Sequence, residues 1–218
     1  MMPFTLEQFL AIFAEYNQAV YPMQLLLIAA AVFVTFSAIK PNKNSSKFIS
    51  AILAFFWLWM GIGYQLTFFS RINQAAFIFG AVFIAQAIIL FSAGVLKNDL
   101  SFHFYSDAKG FFGIFLVIYT LIFYPLLGLF FGHNYPKTPT FGLPCPTTIF
   151  TLGLFLLTDK KVPFYIWMIP MVWSLIGSSA VFLLGIYEDF GLLLAGFIAA
   201  CFYFVSNRKE QQLFYFMR

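Results

Sequence analysis

Charge is what this sequence has least of. Only 9% of its 218 residues are Asp, Glu, Lys or Arg, against roughly 25% in an ordinary soluble domain, while 62% are hydrophobic. So few charges cannot cover the outside of a soluble fold of this size. Two cysteines exclude a disulfide scaffold and a four-cysteine zinc site. The two histidines, His103 and His133, lie in connecting segments on opposite sides, which excludes a bis-histidine haem and a three-histidine metal centre. No lysine interrupts an apolar run, so a retinal Schiff base has no anchor. The glycine-rich phosphate loop ending in Lys-Ser/Thr is missing, which excludes an ATP-driven motor in this chain. A basic n-region with a small-residue cleavage site is absent too, so no removable signal peptide is expected. Nor do the alternating short strands of an outer-membrane barrel occur, and no internal repeat stands out.

What is present is a succession of apolar runs, most of them of about 18 residues or more, the signature of membrane-spanning helices. They fall at about 21–39, 48–69, 74–96, 110–132, 144–158, 163–187 and 190–205. The expected fold is therefore all-α and integral to a membrane: a seven-transmembrane helix bundle forming a single membrane domain over 1–218. Ahead of it, Thr5-Leu6-Glu7-Gln8 fits a capping box, and Leu6, Phe9, Leu10, Phe13 and Val20 recur at helical spacing. This predicts an N-terminal interfacial amphipathic helix over about 5–20. The fifth and seventh runs are short against the roughly 20 residues a span needs.

Basic residues give the expected orientation. With seven spans, one set of loops carries ten of them: Lys40, Lys43, Lys47, Lys97, Lys109, Lys160, Lys161, Arg208, Lys209 and Arg218. The other set carries two, Arg71 and Lys137. The positive-inside rule then places the N-terminus outside and the C-terminus in the cytoplasm. A re-entrant fifth segment would move Arg208, Lys209 and Arg218 outward and spoil the pattern. The net charge of +4 is explained by these loops and implies no nucleic-acid partner; the expected surroundings are a lipid bilayer.

On that topology the polar residues gather toward the outer face. Glu7, Glu15 and Asn17 precede the first span; Tyr64 and Gln65 lie near the end of the second, with Asn73 at the start of the third. Cys145, Thr147 and Thr148 open the fifth, and Glu188 and Asp189 form the turn between the last two. Unsatisfied polar groups cost several kcal/mol in hydrocarbon, so those inside spans should face the bundle interior. The acids make the outer mouth negative, which favours a cation or neutral solute.

The stretch Pro144-Cys145-Pro146-Thr147-Thr148 reads as the start of a helix, with Pro146 near its first position and the N–H groups of Thr147 and Thr148 free toward a cavity mouth. Its cysteine suits either a reactive thiol or a small packing residue. The pair Glu188-Asp189 suits a cation or proton site, or a plain helix cap with Glu188 solvated. Gln86, near mid-membrane, suits interhelical hydrogen bonding, and Cys201 suits core packing.

Several stretches together resemble a known family. They are Phe4 to Phe9, Tyr16 to Pro22, Tyr64-Gln65 with Ile72 to Ala76, Pro144 to Thr151, Gly177 to Ala180 and Glu188 to Leu192. The chain from about Phe4 to Gly196 is similar to a family of small bacterial integral-membrane proteins filed as a domain of unknown function, some members of which carry the label permease. In that pattern His usually follows Tyr64 and Pro usually follows Asn73; here the residues are Gln65 and Gln74.

The resulting expectation is a permease- or channel-like protein of the bacterial inner membrane, passing or capturing a small solute or cation through an outward-facing cavity. Its expected lining is Asn17, Tyr64, Gln65, Asn73, Cys145, Thr147, Thr148, Glu188 and Asp189, with no cofactor, no metal and no catalytic residue assigned. The other readings are a non-catalytic assembly or sensory partner, and a membrane-embedded enzyme or metal handler built on the Cys145 thiol. The balance falls against an enzyme.

Overall fold

A computed structural model describes residues 3–216, with side chains as far as Val205. The expected cytoplasmic bases Arg208, Lys209 and Arg218 lie outside the described side chains. The described fold is all-helical, with two isolated bridges as its only β pairing. In chain order the helices are α1 (Leu6–Ala19), α2 (Met23–Ile39), α3 (Ser45–Arg71), α4 (Ala76–Leu96) and α5 (Ala108–Phe130). They continue with α6 (Pro144–Leu156), α7 (Phe164–Leu184) and α8 (Phe190–Phe216), the last entered through a 3-10 turn at Tyr187–Asp189.

Five of these stretches are long and apolar enough to cross a membrane, and a sixth is reached if α1 and α2, bent by 85° to one another, count as one. Their outer surfaces are apolar as well. On α2, Leu25, Leu26, Val32, Phe33 and Phe36 are all exposed, while Leu27, Ala31, Val34 and Ala38 on the opposite stripe are buried. The two faces of α2 thus contrast only weakly, since both are apolar.

α6 is the exception. It has 13 residues, about 20 Å at 1.5 Å per residue, short of the roughly 30 Å of a hydrocarbon core. Every residue in it except Cys145 is buried. It is the central post of the bundle, contacting α5, α7 and α8. Glycine makes the closest of these approaches possible: a Cβ on Gly113 of α5 would lie 2.8 Å from the Gly153 carbonyl oxygen of α6, and one on Gly153 would lie 3.0 Å from that of Gly113. Polar clasps hold the post in place. The Trp57 indole donates to the Thr151 hydroxyl at 3.1 Å, and the Thr120 hydroxyl to the Pro146 carbonyl at 2.6 Å.

α7 carries Pro170 in its interior. Proline has no N–H, so the carbonyl of Ile166 loses the donor the helix would normally supply. The buried side chain of Gln86 replaces it, its Nε2 donating to the Ile166 oxygen at 3.0 Å. Gln86 is thus an interhelical hydrogen-bonder with a specific task.

The two ends of the bundle differ. At one end the 101–109 segment runs against the end of α6: His103 N–H donates to the Leu157 carbonyl at 2.7 Å, and Lys109 Nζ to the Thr158 carbonyl at 2.7 Å. The segments carrying Lys40, Lys109, Lys160 and Lys161 belong to this end. The opposite end holds α1, the 132–143 loop, the start of α6 and the turn into α8.

α1 departs in part from the expected interfacial helix. The capping box is present: the Gln8 N–H donates to the Thr5 hydroxyl at 3.2 Å, and the Thr5 N–H to Gln8 Oε1 at 2.9 Å. Its apolar face, however, is turned onto the bundle. Phe9, Ile12, Phe13, Tyr16 and Asn17 are buried, and the first four form a second core cluster with Tyr64, Phe68 and Phe69. Cys201 departs as well: it is exposed on α8 rather than packed in the core, because it falls on the outward stripe of that helix.

Candidate solute-binding site

The end that holds α1 contains a cavity with about 170 Å³ of room for water-sized molecules. Its walls come from α1, the last turns of α3, the first residues of α6, the second half of α7 and the turn into α8, with Phe79 of α4 and Tyr124 of α5 between them.

The α3 wall depends on a helical irregularity. From Met60 to Leu66 the helix widens to π geometry, a feature frequent at functional sites. Successive residues of an α-helix diverge by about 100° around the axis, so neighbours seldom face one interior together. In the widened turn both Tyr64 and Gln65 are buried and both line the cavity. Tyr64 stacks on Phe69 with ring centroids 5.8 Å apart, and Phe4 and Phe9 pack edge-on to Phe69. The α1 side of the cavity is therefore aromatic.

The α6 wall is built by its two prolines. The first three helical positions of α6 are Pro144, Cys145 and Pro146, preceded by Leu143 in extended conformation. Helix starts ordinarily leave unpaired N–H groups, but proline has none to leave. The Thr147 N–H is already bonded to the Leu143 carbonyl, so it is not free toward the cavity as the motif suggested. Only the Cys145 amide remains among the first three positions. A helix can begin inside an apolar bundle this way without stranding its donors.

The turn into α8 supplies the acid. Asp189 is 2% exposed; the Tyr124 hydroxyl donates to its Oδ1 at 2.5 Å, and the Cys145 thiol hydrogen-bonds its carboxylate. Trp173 lies beside the same sulfur. None of the described residues that line the cavity is a lysine or arginine.

Of the nine residues expected to line a site, Tyr64, Gln65, Asn73, Cys145 and Asp189 line this cavity together. Asn73 also turns the chain into α4, its Oδ1 accepting the Ala75 N–H at 3.1 Å. The other four lie elsewhere. Asn17 is fully buried as a loop clamp, donating to the Pro136 and Thr138 carbonyls at 2.7 Å each and accepting from the Thr140 hydroxyl at 2.7 Å. Thr147 accepts the Gly142 N–H at 3.0 Å, holding a glycine at φ +102°. Thr148 is buried within α6 with an unpaired hydroxyl, away from the cavity. Glu188 is neither solvated nor in the cavity: it is completely buried, and its Oε1 lies 2.8 Å from His133 Nδ1.

Sequence reasoning missed His133 as the partner of Glu188, Tyr124 as the partner of Asp189, and Trp173 as a wall. Tyrosine and tryptophan within apolar runs were the available signal, since a buried hydroxyl or indole N–H usually needs a partner.

Among the buried lining atoms without a hydrogen-bond partner are the Tyr64 hydroxyl and both amide atoms of Gln65. Buried polar atoms left unpaired in a native fold require water or a ligand. Cys145 has the Asp189 carboxylate rather than an imidazole for a neighbour, and His133 is committed to Glu188. Among the described residues no group of three or more His, Cys, Asp or Glu is placed to hold a metal ion.

A family model described as a family of unknown function, DUF6064, matches residues 6–213. The match covers nearly all of the chain, which therefore belongs to that family. Among curated proteins and among solved structures, nothing matches.

Proposed function

We propose that this DUF6064 member is a multi-pass protein of the bacterial inner membrane, permease-like, that takes a small neutral or cationic solute into the cavity at its lysine-poor end. The carrying observation is Gln65: a fully buried amide, lining the cavity, with neither its oxygen nor its nitrogens paired. The lysine-rich loops at the other end support a cytoplasmic assignment there and an extracytoplasmic cavity here. Below the cavity α6 is buried without a gap from Pro146 to Leu156. A solute held there does not meet an open pore, so passage requires the helices to move, as in alternating access. That closed floor also favours a second reading, a sensory membrane partner that binds solute without passing it.

Flux separates the two. Purified full-length protein in liposomes is expected to speed the entry of small neutral and cationic osmolytes, followed by light scattering. Ala180→Trp, which fills the cavity at a lining position, is expected to abolish the effect. Entry no faster than in protein-free vesicles refutes the permease reading, and solute binding without flux selects the sensory one. Reporter fusions after Lys137 and Asp189 test the orientation; cytoplasmic signals there overturn it.

A further inference from the structure

We infer that the cavity is built for a small organic cation, an amine or quaternary ammonium, with Asp189 as counter-ion and Tyr64, Phe69 and Trp173 as aromatic wall. This rests on reading the cavity as a solute site.

Among the described residues the site holds an acid with no base beside it. Asp189 receives hydrogen bonds from two neutral donors, Tyr124 and Cys145, yet among the described residues it has no ion-pair partner. The neighbouring bases are spent elsewhere. His133 lies on Glu188 at 2.8 Å, and Arg71 pairs with Glu15 at 2.9 Å on the surface, both side chains 54% exposed. A buried carboxylate is tolerated when paired and costly when not. Its remaining lone pairs, beyond the two in use, are open to a cationic donor.

The rest of the lining suits the same guest. Aromatic faces attract ammonium groups through the ring quadrupole, and more strongly away from water. The Tyr64 hydroxyl and the Gln65 amide oxygen, both unpartnered, add neutral acceptors. The start of α6 does not compete for an anion, because two prolines have removed donors that would bind one. With about 170 Å³ accessible, and one water needing about 10–15 Å³ on that measure, the cavity takes a solute of on the order of ten heavy atoms.

The test compares choline with its uncharged isostere, in which a quaternary carbon replaces the nitrogen. Binding to the purified full chain is read by calorimetry. Choline is expected to bind, the isostere to bind at least about tenfold more weakly. Asp189→Asn is expected to weaken choline on the order of a hundredfold and leave the isostere unchanged. Equal binding of the two probes, or choline binding indifferent to Asp189→Asn, overturns the inference. Should that variant fail to fold, the comparison of probes on the wild-type chain decides alone. If neither probe binds while osmolyte entry into liposomes persists and Ala180→Trp abolishes it, the cation inference falls and the solute cavity stands. If neither binds and entry is no faster than in protein-free vesicles, both fall.

Discussion

The Gln86–Ile166 hydrogen bond makes a sharp energetic prediction, because its cause is a single residue on another helix turn. Pro170 removes the N–H that would have satisfied the Ile166 carbonyl; Gln86 Nε2 supplies a substitute at 3.0 Å. Gln86→Leu leaves that carbonyl unpaired in the interior, which costs about 1–3 kcal/mol for a buried group. Hydrogen bonds between membrane helices average nearer 0.6 kcal/mol, so a value of about 1–2 kcal/mol is expected. Pro170→Ala restores the backbone donor within α7. In that background Gln86→Leu should be close to neutral, since the carbonyl no longer depends on the side chain. The double-mutant cycle should thus give a coupling of about 1–2 kcal/mol, with the double variant more stable than the sum of the singles. Reversible unfolding in mixed micelles, followed by far-UV circular dichroism, measures all four proteins. An equal cost for Gln86→Leu in both backgrounds would falsify the compensation argument.

Two further substitutions test the end that carries the cavity. His133→Ala should destabilise by about 3 kcal/mol or more, because it strands the fully buried Glu188; adding Glu188→Gln should recover much of the loss in the same unfolding assay, and no recovery would deny that charge is the issue. Asn17→Ala removes three side-chain bonds to the 136–140 loop, at a net cost of about 2–4 kcal/mol, and should speed protease cleavage within residues 132–143 while leaving the lysine-rich end untouched.

Much of the helical layout is legible in the sequence because long apolar runs follow a simple rule. Long apolar runs bounded by charge read directly as helices; helices occupy all seven of the expected stretches, but five of them, or six with α1 and α2 joined, are long and apolar enough to span. The polar residues gathered at one end were legible for a related reason: amides, acids and tyrosines near helix ends are conspicuous against so apolar a background. Tyr64, Gln65, Asn73, Cys145 and Asp189 share a cavity on that account. What the sequence conceals is which way each group turns. Asn17 and Glu188 look like lining residues by type and position, but the loop carbonyls and His133 reach them first, through contacts separated by 119 and 55 residues. The widened turn at Met60–Leu66 is also hidden, since no residue type announces it. Without it, Tyr64 and Gln65 would have pointed to different surroundings.

The cavity itself follows from the shortness of α6. A helix of 13 residues is about 10 Å shorter than a roughly 30 Å hydrocarbon core, and the cavity lies at its N-terminal end. A recessed start would ordinarily strand three N–H groups in an apolar interior. Pro144 and Pro146 eliminate two of them, so the recess carries little polar debt of its own. α1 then folds across the opening, bent 85° from α2, and covers it with Phe4, Phe9 and Phe13. Its anchor on the bundle is local: the Tyr16 hydroxyl accepts from the Trp59 indole at 2.8 Å, and Asn17 grips the 136–140 loop. Roof, recess and acid are thus contributed by separate parts of the chain. The proline pair is the element that makes them compatible, because it lets the central helix stop short and leaves Asp189 facing an apolar space rather than a row of backbone donors.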